Sequence, residues 1–322
     1  MPAIIQISNK KNFIIKVFVI GYSQKGESII ILFIDEQDNN ILYTIVIDCF
    51  LYKKINKTKE ILEEYNISNI DMLCWSHPDD DHTKGIDSII RNFCTENTKI
   101  ILPQGVNGKD YDMISYNKND KILVSQILRL NEKKKKIQLT ASVATALYHP
   151  MDIIEFSDYP EKINLNIHAL SPHSALINER IGNEKKIDKN ELSIALHIKV
   201  DEYQFVFCSD IENPTIDNIM TSCFDNPILI KIPHHTSPTS DRLLDIIKTD
   251  QNNTLGCTTI YKQHNLPNPE LLERYKNICS QIHTTGTSKG KNKNYGVIEY
   301  NFHLYSEEKK VEIACYGHAK QV

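Results

Sequence analysis

The chain has 322 residues, 41% of them hydrophobic and 24% charged, with a formal net charge of -4. That is ordinary globular composition, enough for one large or two modest domains, and it excludes collagen, a disordered charged tail and a disulfide-stapled peptide. The acidic balance also excludes a protein that coats nucleic acid through bulk charge.

The opening stretch, MPAIIQISNKKNFIIK, does not read as a secretory signal, because lysines and an asparagine interrupt its apolar residues. The longest apolar run, residues 29–34, is far below the roughly 18 residues a membrane helix needs. Cysteines stand alone at 49, 74, 94, 208, 223, 257, 279 and 315, with no CxxC pair. Most lie in apolar runs, where the thiol behaves as a small buried hydrophobe. A cytoplasmic protein without a membrane segment is therefore expected.

Strands are expected at 13–20, 28–34 and 41–47, rich in Ile, Val and Phe and punctuated by Gly26 and Asn39-Asn40. A helix at 58–65 follows, then a short apolar strand at 71–75, the polar cluster 76–84 and a helix at 86–93. The stretch from about 105 to 163 has mixed periodicity and the lysine run 133–136, and reads as a variable insertion. Beyond it, strands are expected at 163–170, 192–200, 203–207, 227–232, 258–261, 282–284, 296–300 and 310–315. Helices are expected at 214–220, 240–247 and 269–278. No repeat and no Pro-, Gly- or Ser-rich linker divides the chain, so residues 1–322 read as a single domain of two sheets flanked by helices.

The chemistry concentrates in Ser76-His77-Pro78-Asp79-Asp80-Asp81-His82, which follows an apolar strand and precedes Gly85 and a helix. Imidazoles and carboxylates in that density repel or compete unless a cation holds them, and a divalent ion does so. Three more apolar strands end on ligand types: Ile45-Val46-Ile47-Asp48, Phe205-Val206-Phe207-Cys208-Ser209-Asp210 and Leu229-Ile230-Lys231-Ile232-Pro233-His234-His235. Strands that each end on a ligand point to one site on one sheet edge.

In their order these motifs resemble the metallo-β-lactamase superfamily, and within it the metal-dependent hydrolase domain of ComEC-type DNA-uptake proteins. Gln24-Lys25-Gly26-Glu27-Ser28 is similar to the family's Gly-x-Gly-Asp-Ser, and Ile47-Asp48-Cys49 to its Ile-Asp-Cys. Ser76 to His82 matches Ser-His-Pro-Asp-x-Asp-His, Ser209-Asp210 mirrors a strand ending Gly-Asp, and Lys231 to Ser237 mirrors Lys-x-Pro-His-His-Gly-Ser with Thr236 for the Gly. Thr284-Thr285-Gly286 resembles the terminal Thr-x-x-Gly. The likeness spans about residues 13–300 and lapses over 105–163. It departs at Thr83-Lys84-Gly85, where Gly-Gly is usual, and at Gln263-His264-Asn265-Leu266-Pro267, which replaces Tyr-Gly-His-Pro.

The resemblance implies an α/β fold, a four-layer αββα sandwich, and two divalent ions, zinc or manganese with magnesium also compatible. It assigns His77 and Asp79 to one ion and Asp81 and His82 to the other, with Asp210 bridging. One of His234 and His235 completes the second ion, His234 being preferred. Asp48 supports the loop from behind. Among His149, His168 and His173, the last is nearest in position to the family's remaining histidine. Asp81 is placed to accept the hydrogen bond of the attacking water, and His235 to donate to a phosphate oxygen or leaving group. Lys289 and Lys291, beside Lys293, are candidates for phosphate contacts.

The expected activity is a metal-dependent phosphodiesterase, a nuclease acting on DNA or RNA. The alternatives are a hydrolase of a small phosphate ester or lactone, or a non-catalytic metal-stabilised subunit working with a protein partner in a larger system. A β-lactamase is disfavoured, since the loop has Asp79 where that enzyme has its second His.

Overall fold

The computed structural model describes residues 2–106, 112–116, 118–133, 137–141, 150–158, 160–249, 253–289 and 294–322. In chain order the first half runs β1 (Ala3–Gln6), β2 (Phe13–Tyr22), β3 (Glu27–Asp35), β4 (Asn40–Ile47), α1 (Lys57–Glu64), β5 (Met72–Cys74), α2 (Asp80–Thr83), α3 (Ile86–Phe93), β6 (Lys99–Pro103), α4 (Lys118–Lys133) and β7 (Ile137–Ala141). The second half runs β8 (Asp152–Asp158), β9 (Glu161–Ala169), α5 (Ser174–Gly182), β10 (Leu196–Val200), β11 (Tyr203–Phe207), α6 (Asn213–Ile216), β12 (Leu229–Lys231), α7 (Leu243–Ile246), β13 (Leu255–Thr258), α8 (Pro269–Lys276), β14 (Gln281–Thr284), β15 (Tyr295–His303), β16 (Lys310–Gly317) and β17 (Lys320–Gln321).

Two sheets result. One has the order β16-β15-β2-β3-β4-β5-β6-β7, the other β1-β8-β9-β10-β11-β12-β13-β14-β17. Strands β2 and β3 are apolar on both faces because each face meets a different core. Ile15, Val17, Val19, Ile29, Ile31 and Phe33 point between the sheets, toward Ile167, Leu196, Phe205 and Phe207 of the second sheet. Their alternates Phe18, Ile20, Ile30 and Leu32 point outward against helices. Helix α3 shows why those helices form: Ile86, Ile89, Ile90 and Phe93 lie at i, i+3, i+4 and i+7 and all are buried in that outer core. On the far side, Val206, Ile230 and Ile282 of the second sheet pack against Ile216, Leu243, Leu271 and Tyr275 of α6, α7 and α8. Helices, sheet, sheet, helices is the four-layer αββα sandwich expected from the sequence.

Of the stretch from 105 to 163, β7 pairs with β6, and β8 pairs with β1 and β9. Val124 and Ile127 of α4 are buried in the outer core. Strand β13 lies three residues before its expected position. Gly256 sits within it because a Cβ there would meet Cys279 Sγ and the Ile282 side chain, each at 3.2 Å.

The parallel runs β4-β5-β6 and β11-β12-β13-β14 place their carboxyl ends at common edges. In parallel α/β sheets that edge collects ligand-binding loops, because the strand ends there open into connections that need not pack.

Candidate metal centre

Each group at this edge comes from a strand end. Asp48 follows β4 in left-handed backbone (φ 58°), and Ser76 to His82 follow β5. Asp210 follows β11 after left-handed Ser209 (φ 47°). His234, His235 and Thr236 follow β12, all three left-handed (φ 47°, 51° and 64°). Such a run is costly for residues with a Cβ, above all for β-branched Thr236, and strain of this kind collects at functional sites. The Thr236 hydroxyl is bonded to Thr258 Oγ1 at 2.8 Å, which steadies the turn where a glycine is absent.

Asp48 organises the loop. Its carboxylate accepts from the Ser76 N–H (2.7 Å) and the Ser76 hydroxyl (2.5 Å), and it takes the His82 Nδ1 proton at 2.8 Å. The Ser76 hydroxyl spends its proton on Asp48, so it accepts from His77 Nδ1 at 3.0 Å. The Thr259 hydroxyl gives its proton to Glu27 Oε2, so it accepts from His235 Nδ1 at 2.7 Å. All three imidazoles thus hold a proton on Nδ1 and present Nε2 inward, as metal-ligating histidines do.

Those Nε2 atoms converge on carboxylates. His82 Nε2 lies 3.4 Å from Asp210 Oδ2 and 3.8 Å from Asp81 Oδ2. His235 Nε2 lies 3.4 Å from each of the same two oxygens. The His77 and His82 rings are 4.3 Å apart. His77 Nε2, Asp81 Oδ2, His82 Nε2, Asp210 Oδ1 and His235 Nε2 are all buried without a hydrogen-bond partner. Buried polar atoms are paired almost everywhere in proteins, so five orphans in one place mark a missing common partner. Ligand atoms of Glu27, His82, Asp210 and His235 fall within 4.8 Å of one another, and this group could hold a metal ion. Nitrogen and oxygen donors without a thiolate fit zinc, manganese or magnesium.

The electrostatics agree. Burial opposes a charged His82, yet Asp210, Asp81 and Asp48 outweigh it and hold its pKa well above 6.5. Burial likewise opposes a charged His235, and Asp210 and Asp81 raise it to about 9. His77 goes the other way, to about 3, through burial and the neighbouring His82. Burial resists the ionised forms of Asp210 and Asp81, but His235 and His82 hold both carboxyls below their ordinary value.

Other expected residues lie outside this group of four, and Asp79 falls in a second possible cation group with Asp80 and Asp81. Asp79 caps α2 and is ion-paired with Lys189 Nζ at 2.8 Å. His234 lies outside the group, with Nδ1 3.1 Å from Glu212 and 3.0 Å from Thr239 Oγ1, whereas His235 lies inside it. His173 is buried at the start of α5 and does not belong to the group. Lys289 is exposed, while Lys291, Lys293, His149 and residues 134–136 lie outside the described residues. Glu27 and Thr259 had no role in the sequence reading. The signal for Glu27 was its place in the Gly-x-Gly-Asp-Ser match; Thr259 had none.

No family model and no curated protein matches this chain. The solved structures it is similar to include three proteins of the metallo-β-lactamase fold. A diphosphatase of the PhnP family shares 9% identity at a TM-score of 0.37, over 76% of this chain and 86% of that one. Zinc-bound PqqB from Methylobacterium extorquens shares 9% at 0.36, over 67% and 71%. A mutant of the CmlA β-hydroxylase shares 12% at 0.34, over 68% of this chain but only 35% of its own length. Among the described residues, no helix is long and apolar enough to cross a membrane.

Proposed function

We propose that the chain is a metal-dependent hydrolase of phosphodiesters, a nuclease of the ComEC-type likeness. The observation that carries this is the set of five partnerless buried atoms on His77, Asp81, His82, Asp210 and His235. We assign one divalent ion to Asp81, His82, Asp210 and His235, and the expected second ion to His77 and Asp79. Bound there, the metal supplies a Lewis acid and an acidified water. With the metal bound, Asp81 would be the carboxylate to accept that water's hydrogen bond. His234, backed by Glu212 and partly exposed, is the imidazole left to donate to a substrate oxygen. Lys25, paired with Asp80, and Lys189, paired with Asp79, flank this loop, and they are offered to phosphate together with Lys289 and, on the sequence reading alone, Lys291. The half-buried Tyr261 ring, 5.3 Å from that of His235 and with the Lys25 ammonium over it, is offered as an aromatic partner for a base.

The test compares wild type with Asp81→Ala on single-stranded DNA, duplex DNA, RNA and bis-p-nitrophenyl phosphate, with manganese and with zinc. Polymer cleavage that falls by about a hundredfold or more in the variant is expected. Cleavage of the small diester alone favours a small-substrate hydrolase. Silence despite bound metal favours a non-catalytic subunit.

A further inference from the structure

Two motif residues far apart in sequence, Glu27 and Lys231, meet beside the cation group. Both are almost completely buried, and Lys231 Nζ lies 2.7 Å from Glu27 Oε2. The same ammonium donates to the Ser209 carbonyl at 3.2 Å and lies 3.7 Å from Asp210 Oδ1. Glu27 Oε2 also accepts from the Thr259 hydroxyl at 2.5 Å. A threonine hydroxyl has one proton. Having given it to Glu27, Thr259 can only accept at its 2.7 Å contact with His235 Nδ1. His235 must then hold a proton on Nδ1, which leaves Nε2, facing Asp81 and Asp210, as its metal-binding atom.

Glu27 is also close enough to His82, Asp210 and His235 to be a ligand itself. Its Oε2 already takes two short bonds, one of them from an ammonium. We propose that Lys231 is a resident cation that keeps Glu27 off the metal, and that Glu27, through Thr259, fixes the tautomer of His235. Glu27 and Lys231 are thus a positioning pair, and Asp210 is kept from collapsing onto the lysine because Glu27 holds it. This rests on the reading that the site binds a divalent ion.

Cobalt(II) binding to the purified full chain tests it, by chelator competition and by visible absorption. Glu27→Gln leaves the buried lysine facing Asp210, and affinity should fall at least about tenfold. Lys231→Met frees Glu27 to join the metal, and the visible bands should weaken as coordination rises. The double variant Glu27→Gln/Lys231→Met removes both charges and keeps an acceptor for Thr259. It should recover the wild-type spectrum and an affinity within about twofold. Glu27→Ala/Lys231→Met, lacking that acceptor, should stay about 10–100-fold weaker. Should a charge variant fail to fold, Thr259→Val cuts the relay alone, with the same expected loss and rescue by Thr259→Ser. The proposal is overturned if the two double variants bind alike, if Thr259→Val binds as wild type, or if a folded Glu27→Gln/Lys231→Met takes up no cobalt. Wild type that binds neither cobalt nor zinc instead overturns the metal reading, and this proposal with it.

Discussion

Asp48→Asn keeps the shape of a side chain whose oxygens serve three donors: the Ser76 N–H at 2.7 Å, the Ser76 hydroxyl at 2.5 Å and His82 Nδ1 at 2.8 Å. A carboxamide has one oxygen and one NH2, so it cannot serve all three. With its NH2 toward His82 it donates to Nδ1, moving the imidazole proton to Nε2, the atom that faces Asp81 and Asp210. With its NH2 toward the Ser76 N–H, two donors confront each other. Either arrangement leaves one buried donor unmet, at about 1–3 kcal/mol. Losing the orienting partner of a metal-ligating histidine typically costs 10–100-fold in affinity, about 1.4–2.8 kcal/mol. Asp48→Ala abandons all three donors and should destabilise the metal-free protein by about 3 kcal/mol or more. Zinc affinity by chelator competition, beside thermal unfolding of the metal-free protein, separates the two. Asp48→Asn should lose mainly affinity, whereas Asp48→Ala should lose both. An Asp48→Asn protein that binds zinc within about twofold of wild type would refute the tautomer argument.

Lys189→Ala removes the ammonium paired with Asp79, so equilibrium dialysis should find more metal per chain than in wild type; an unchanged ratio argues against Asp79 as a ligand of the second ion. His82 is held well above 6.5 and His235 at about 9, so both carry protons at neutral pH that a metal must displace. Apparent affinity should therefore climb with pH from 6 toward 9, with proton release seen by an indicator dye in weak buffer; uptake without release counts against these two ligands. His197, bonded through Nε2 to Gln204 and pushed by burial to about 4, binds its proton less readily folded than unfolded. Its contribution, on the order of 3 kcal/mol, is complete above about 6.5 and is lost as pH falls toward 4. Unfolding midpoints should drop across that window, and His197→Gln should flatten the slope.

The fold was legible where one residue pattern had one cause. Strands β2 and β3 read clearly because each face of the first sheet is covered, leaving unbroken Ile, Val and Phe. Helix α3 read to the residue, because its four apolar positions fall on one stripe. Strand β13 read three residues late, because the β-branched Thr258-Thr259-Ile260 outweighs Leu255-Gly256-Cys257 as a local signal. What places Gly256 in a strand is its close approach to Cys279 and Ile282, which only packing reveals. The site divides in the same way. Asp48, His77, Asp81, His82, Asp210 and His235 announce themselves as ligand types at the ends of apolar strands. Thr259 is one threonine among many until the fold carries it across 232 sequence positions to Glu27. Lys189 meets Asp79 from 110 positions away and stands in no motif.

The charge arithmetic binds these observations together. Glu27, Asp48, Asp81 and Asp210 are all buried at one edge, and Lys231 is the only lysine or arginine ion-paired with any of them among the described residues. A buried carboxylate without a partner is strongly unfavourable, so the surplus must be met by protons on His82 and His235 or by a divalent ion. The left-handed run at His234, His235 and Thr236 adds a further cost of about 1–3 kcal/mol per residue in the same few ångströms. A fold relieved of that repulsion by one small cation would have metal affinity and stability as two faces of a single free energy. The overall charge then changes meaning. One bound divalent ion brings the formal -4 halfway to zero, and two bring it to about zero, so the acidic balance of the chain does not oppose an anionic substrate at this edge. It confines such an attraction to the cation group and the few lysines around it, which is where the proposed phosphodiester substrate would be held.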